Sequence, residues 1–169
     1  MAINLKRLFK HRWLDESDTR RAIPPDMSQR LAGRVAASER RHSGELRICV
    51  EAGLPLSYLW RNAPARERAV AMFGKLRVWD TEHNNGVLIY LLLAERAIEI
   101  VADRGLNKHV SAQEWQAMVG RMSAAFTEGR FEDGLTQALE EVSALLVQHC
   151  PLAEGEADSN ELPDAPFLG

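Results

Sequence analysis

Apolar and polar positions change period several times along the 169-residue chain, and each change predicts an element. Met27, Leu31 and Val35 recur at four-residue spacing behind Pro24-Pro25, so 27–41 predicts an amphipathic helix. Asp26 is its expected N-cap, with Gln29 closing a capping box. ELRICVE at 45–51 alternates strictly, which predicts a half-buried strand. Gly53 and Pro55 close it, and LSYLW at 56–60 reads as a short helix or loop. Asn62 and Pro64 open a second long helix with a stripe of Ala69, Met72, Phe73 and Leu76. VLIYLLL at 87–93 is apolar on both faces, the pattern of a central strand covered on both sides. AIEIVAD at 97–103 alternates again as a third strand. Ser111 and Glu114 form a capping box ahead of Trp115, Met118, Val119, Met122 and Phe126. Phe131, Leu135, Leu139, Val142 and Leu146 mark a last helix over 131–149, stopped by Pro151.

The order predicts an α/β/α sandwich: a small mixed sheet of strands 45–51, 87–93 and 97–103 with helices on both faces. The long helical crossover makes the first two strands parallel, and the tight turn at Ala94-Glu95-Arg96 makes the last two antiparallel. An antiparallel third strand returns its end to the start of the second. Asp103-Arg104-Gly105 should therefore lie beside the polar loop 80–86, with His42-Ser43-Gly44 on the same edge. The domain is expected over 25–150. An irregular basic leader (1–24) precedes it, and an acidic, disordered tail (151–169) follows, with Glu154, Glu156, Asp158, Glu161 and Asp164 and no Lys or Arg.

Charge alters this picture only at the ends. Residues 1–42 hold ten Lys/Arg against five Asp/Glu, whereas the whole chain carries −3. The net charge gives no general attraction to nucleic acid. The basic leader KRLFKHR at 6–12 is suited to an acidic surface or anionic lipid, or to simple solvation. Cys49 and Cys150 form no CxxC pair and read as free thiols. The longest apolar run, Val87 to Ala94, has eight residues, against about 20 for a membrane span. No apolar signal-peptide core follows the basic leader, so a cytoplasmic protein with at most peripheral membrane contact is expected.

Six polar residues, Asp80 to Asn85, precede the central strand. Carboxylate, amide and carbonyl oxygens suit hard cations such as Ca²⁺ or Mg²⁺. Asp80, Glu82 and Asp103 are the candidate carboxylate ligands, assisted by Asn84 and Thr81, with Arg104 as a candidate phosphate contact. An EF-hand is excluded, because Gly86 falls at loop position seven instead of six and Leu91 stands where a bidentate Glu is needed. Taken locally, Asn84-Asn85-Gly86 reads as a tight turn. No zinc spacing, P-loop, GxGxxG or G-x-S-x-G occurs.

NNGVLIYLLL, AIEIVADRGL, the Trp-containing helix and the run Phe126-Thr-Glu-Gly-Arg-Phe131-Glu-Asp-Gly-Leu135 together resemble the TPM domain family over about residues 28–150. The resemblance implies an α/β/α sandwich with divalent cation binding, chiefly Ca²⁺, at a loop-lined cleft. It also implies weak acid phosphatase activity in some members, and a role in assembly or repair of membrane complexes in others. The chain departs from the family in showing neither signal peptide nor membrane helix, in Ala102-Asp103 where a glycine is common, and in the insertion LPLSYLW. Three readings follow: an accessory module holding a cation weakly, a metal-dependent phosphatase, and a structural module. In the last, Tyr58, Leu59 and Trp60 would meet an unknown protein partner, unless that segment packs back on the core.

Overall fold

The computed structural model describes residues 4–155 and 159–169. The three expected strands form as β1 (Leu46–Glu51), β2 (Val87–Leu92) and β3 (Ala97–Ala102). β1 and β2 are parallel, with Leu46 opposite Val87. β2 and β3 are antiparallel, with Val87 opposite Ala102. A fourth strand, β4 (Phe167–Leu168), runs parallel to β1 on its other side, so the order is β3-β2-β1-β4. Around this sheet lie α1 (Leu5–Arg12), α2 (Glu16–Ala22), α3 (Pro25–Glu39), α4 (Leu56–Trp60), α5 (Ala65–Lys75), α6 (Arg104–Asn107), α7 (Ala112–Thr127) and α8 (Phe131–His149).

Alternation along the strands divides the core in two. Leu46, Ile48, Val50, Val87, Ile89 and Leu91 pack with residues of α3, α7 and α8. Cys49, Leu88, Tyr90 and Leu92 face the other way, onto α5 and Leu59 of α4. β2 is therefore buried on both faces, as its unbroken apolar run predicts.

The expectation of a half-buried β1 is corrected: all six of its residues are buried. Its polar positions are neutralised inside the fold. Arg68 grips Glu51 with two hydrogen bonds (2.8 and 2.6 Å), and the Tyr90 hydroxyl donates to the same carboxylate at 2.8 Å. Arg47 donates to the carbonyls of Pro163 and Ala165 at 2.5 and 2.6 Å.

Both flanks are also corrected. The leader is not irregular within its described part, since α1 and α2 occupy it; residues 1–3 lie outside the described residues. The tail is not wholly disordered, since it returns to make β4; Glu156 and Asp158 lie outside the described residues. Two caps differ as well. α3 starts on Pro24 with no side-chain cap, and Asp26 pairs instead with Arg30 at 2.8 Å. α5 starts on Pro64, whereas Asn62 takes a positive φ of 52° in the preceding turn. The capping box of Ser111 and Glu114 on α7 forms as expected. Among the described residues no helix is long and apolar enough to cross a membrane.

Candidate functional site

The return of β3 assembles the polar edge. Asp103 donates its backbone N–H to the Gly86 carbonyl, and Gly105 donates to the Asn84 carbonyl, each at 2.9 Å. The Asn85 side-chain amide donates to the Ser43 carbonyl at 2.8 Å. Three segments far apart in sequence thus meet where topology requires. The approach is close enough to exclude side chains: a Cβ on Gly105 would lie 2.4 Å from the Asn84 carbonyl oxygen, and one on Gly86 2.1 Å from that of Val78. Glycine is needed there for space rather than for φ.

The proposed ligands do not all share this edge in the same way. Asp103 is buried; one carboxylate oxygen accepts the Arg104 backbone N–H at 2.6 Å and caps α6. Its second oxygen is buried and without a hydrogen-bond partner among the described residues, as is the side-chain oxygen of Asn85. Thr81 is buried, and its hydroxyl accepts the Asn85 backbone N–H at 3.2 Å. Asp80 is exposed and paired with Arg77 at 2.6 Å. Glu82 and Asn84 are also exposed, with Asn84 at φ 52° in the tight turn. The Glu82 backbone N–H donates to the Glu161 carboxylate at 3.1 Å, so the tail contributes an acid to this rim. The Arg104 side chain is exposed and in no ion pair among the described residues. Among the described residues no three His, Cys, Asp or Glu side chains gather as a metal cluster would require.

Two contributors escaped the sequence reading of ligands. Asn85 was visible in the rim, but its orphaned oxygen depends on its amide being turned toward Ser43. Glu161 sits in a segment whose composition reads as disorder, so nothing local places it here.

The insertion segment splits by residue. Leu59 is buried, and Tyr58 lies under the guanidinium groups of Arg61 and Arg68, 5.2 and 5.5 Å from its ring. Trp60 is exposed. Elsewhere, a cavity of about 650 Å³ opens against β3, lined by Arg66, Glu99, Ile100, Asn107, Trp115 and Gln116 among others. Its charges satisfy one another: Arg66 donates to the Ile100 carbonyl and lies 3.6 Å from Glu99. Burial raises the Glu99 pKa, and Arg66 opposes that rise.

A family model described as the TPM domain matches residues 17–145. The NMR structure of BA42 protein from the psychrophilic bacterium Bizionia argentinensis is similar with a TM-score of 0.71 and 26% identity, covering 84% of this chain and 92% of that one. The solution NMR structure of the N-terminal domain of a protein from P. gingivalis has the same fold, with a TM-score of 0.62 and 18% identity over 78% of this chain and 83% of that one. No curated protein sequence matches the chain.

Proposed function

The chain belongs to the TPM domain family, and from that premise we propose that it is an accessory binding module holding a single Ca²⁺ or Mg²⁺ weakly at the polar edge. The observation that carries this reading is two buried oxygens on this edge, one on Asp103 and one on Asn85, each without a hydrogen-bond partner among the described residues. A buried carboxylate oxygen without a donor is unfavourable unless a cation or water meets it, and hard oxygen donors suit these ions. Asp103 and Asn85 would hold the ion, with Thr81 in support. Asp80, engaged by Arg77, and the exposed Glu82 and Asn84 would at most complete the shell. One fixed carboxylate makes affinity low, in the range of extracellular modules, about 10⁻⁴–10⁻³ M. A bound ion would supply positive charge where the loops 43, 80–86 and 103–105 meet. The residues themselves pin those loops together through the backbone bonds described above. In a family associated with membrane complexes, such a module would act in their assembly or repair.

Titration with Ca²⁺ or Mg²⁺, followed by NMR, should shift the amides of residues 81–86 and 103–106 at millimolar metal. Asp103→Asn preserves size and the acceptor for Arg104, and it should abolish the shift. An unchanged titration in that variant, or none in the wild type, removes the reading. A second reading, metal-dependent phosphatase activity, is favoured by Arg104 alone, because its exposed guanidinium, in no ion pair among the described residues, directly follows Asp103. Metal-dependent turnover of p-nitrophenyl phosphate that falls at least tenfold in Arg104→Ala would support it; turnover that ignores the substitution rules it out.

A further inference from the structure

Five of the eight large hydrophobic side chains left exposed among the described residues lie on two neighbouring helices: Leu5, Phe9 and Trp13 on and beside α1, Leu56 and Trp60 on α4. α1 is not a loose end. Arg7 donates to Glu95 and to the Ala63 carbonyl, both at 2.7 Å. His11 is buried, accepting the Leu54 N–H at 2.9 Å on one ring nitrogen and meeting Glu95 at 2.9 Å on the other. Leu8 packs against the second core cluster. These inward contacts fix which side of α1 faces out. Leu5 and Phe9 are 63% and 62% exposed, and Trp13 is 83% exposed.

Four-residue spacing sets Leu5, Phe9 and Trp13 on one stripe of the helix, with Arg12 on one side of it and Lys6 and Lys10 on the other. Those three cations are exposed, and none forms an ion pair among the described residues; α1 itself contains no acid. The acids of α2 are engaged nearby: Asp15 caps that helix, Glu16 meets Arg20, and Asp18 meets Arg21. A fixed apolar stripe bearing an aromatic at its end and flanked by free cations is the pattern of a helix lying in a membrane interface. A second copy of the chain fits less well, because a two-fold contact would bring the three cations of each copy into one interface with no acid of α1 to meet them.

We infer that the exposed face of α1, backed by α4, docks on an anionic lipid bilayer. Leu5, Phe9 and Trp13 enter the interface, and Lys6, Lys10 and Arg12 meet lipid phosphates. The inference is independent of the cation reading, so it is tested in EDTA. In co-sedimentation with vesicles, the wild type should bind phosphatidylglycerol–phosphatidylcholine mixtures about tenfold better than phosphatidylcholine alone, and high salt should release it. Phe9→Ser with Trp13→Ser, and separately Lys6→Glu with Lys10→Glu, should each weaken binding about tenfold while leaving the thermal melt unchanged. Should either variant misfold, the wild-type contrast between anionic and neutral vesicles decides. Four results overturn the inference: no binding to anionic vesicles, equal binding to neutral ones, tighter binding to duplex DNA than to vesicles, or a dimer in solution that Phe9→Ser with Trp13→Ser dissolves.

Discussion

At the scale of single residues, Glu39 carries the clearest consequence of burial. Its carboxylate accepts the Leu46 backbone N–H at 2.9 Å, yet burial, with Glu45 and Asp164 nearby, pushes its pKa up to about 8. The folded state thus holds a proton that the unfolded chain releases near pH 4.5, so this contribution is complete below that pH and is lost as pH rises toward 8. His42 acts in the opposite sense: burial lowers its pKa to about 4, so stability falls as pH drops from 6.5 toward 4. Between pH 6.5 and 8 the Glu39 slope dominates, as the slope from His42 fades above its unfolded pKa of 6.5. Glu39→Gln keeps the acceptor for Leu46 and should flatten that slope, gaining on the order of 1–3 kcal/mol over the wild type at pH 8. Denaturant unfolding at pH 6.5 and 8 measures it; parallel slopes in the two proteins would refute the assignment. The same scale shows where sequence stops being informative. The polarity of 80–85 was plain, but Asp80 and Asp103 are both aspartates on one predicted edge. What separates them is set by the fold: Asp80 is exposed and paired with Arg77, whereas Asp103 is buried with one oxygen unpartnered among the described residues.

Elements longer than a few turns were legible because their apolar spacing meets a single core face, as in α7 and α8. The run joining those helices is explained by fit. Gly129 ends α7 at φ 78°, letting Arg130 donate back to the Ala125 carbonyl at 2.8 Å. Gly134 lies under the fully buried Phe126 ring, where an added Cβ would sit 2.6 Å from its edge. Gly134→Ala should therefore destabilise by about 1–3 kcal/mol through overpacking. Gly120→Ala makes the matched control: it stands in the interior of α7 with nothing within 4 Å of its added Cβ, and should stabilise by about 0.4–1 kcal/mol. Thermal melts of the two variants should move in opposite directions, and movement in the same direction would contradict the packing account. The short helices were harder to read. α2 has a capping box of Asp15 and Asp18 in plain view, but its body ESDTRRA offers no apolar period, and only Thr19 is buried. α1 is held by Arg7 and His11, polar residues whose partners, Glu95 and Leu54, are far away in sequence.

For the molecule as a whole, the C-terminal tail decides how the sheet ends. A two-residue strand has no periodicity to detect, and an acidic run without Lys or Arg resembles disorder. Its capture depends on groups more than 100 residues distant: Arg47 on the Pro163 and Ala165 carbonyls, and Glu45 accepting the Leu162 N–H at 3.0 Å. Leu162 is buried in the second core cluster, and Gly169 exchanges backbone hydrogen bonds with Val50 and Ala52 at 2.9 and 3.0 Å. Ending the chain at Gly155 would strip β1 of its outer neighbour β4, leaving only β2 beside it, and would remove both carbonyl acceptors of the Arg47 guanidinium. The truncated protein should melt about 5 °C lower or more, and β1, now an unpaired edge, should promote association at high concentration. Leu162→Ala, which keeps the strand but empties its anchor, should reproduce part of the destabilisation without the association. Melting curves with light scattering over a concentration series separate these effects, and a truncated chain that keeps both its melting temperature and its monomeric state would show that β4 is an ornament on a sheet already complete. The tail's Glu161 adds a link to the site, since it accepts the Glu82 N–H beside the polar edge. Loss of the tail should therefore also shift the amides of 81–86 before any metal is added, through a contact that only the assembled fold creates.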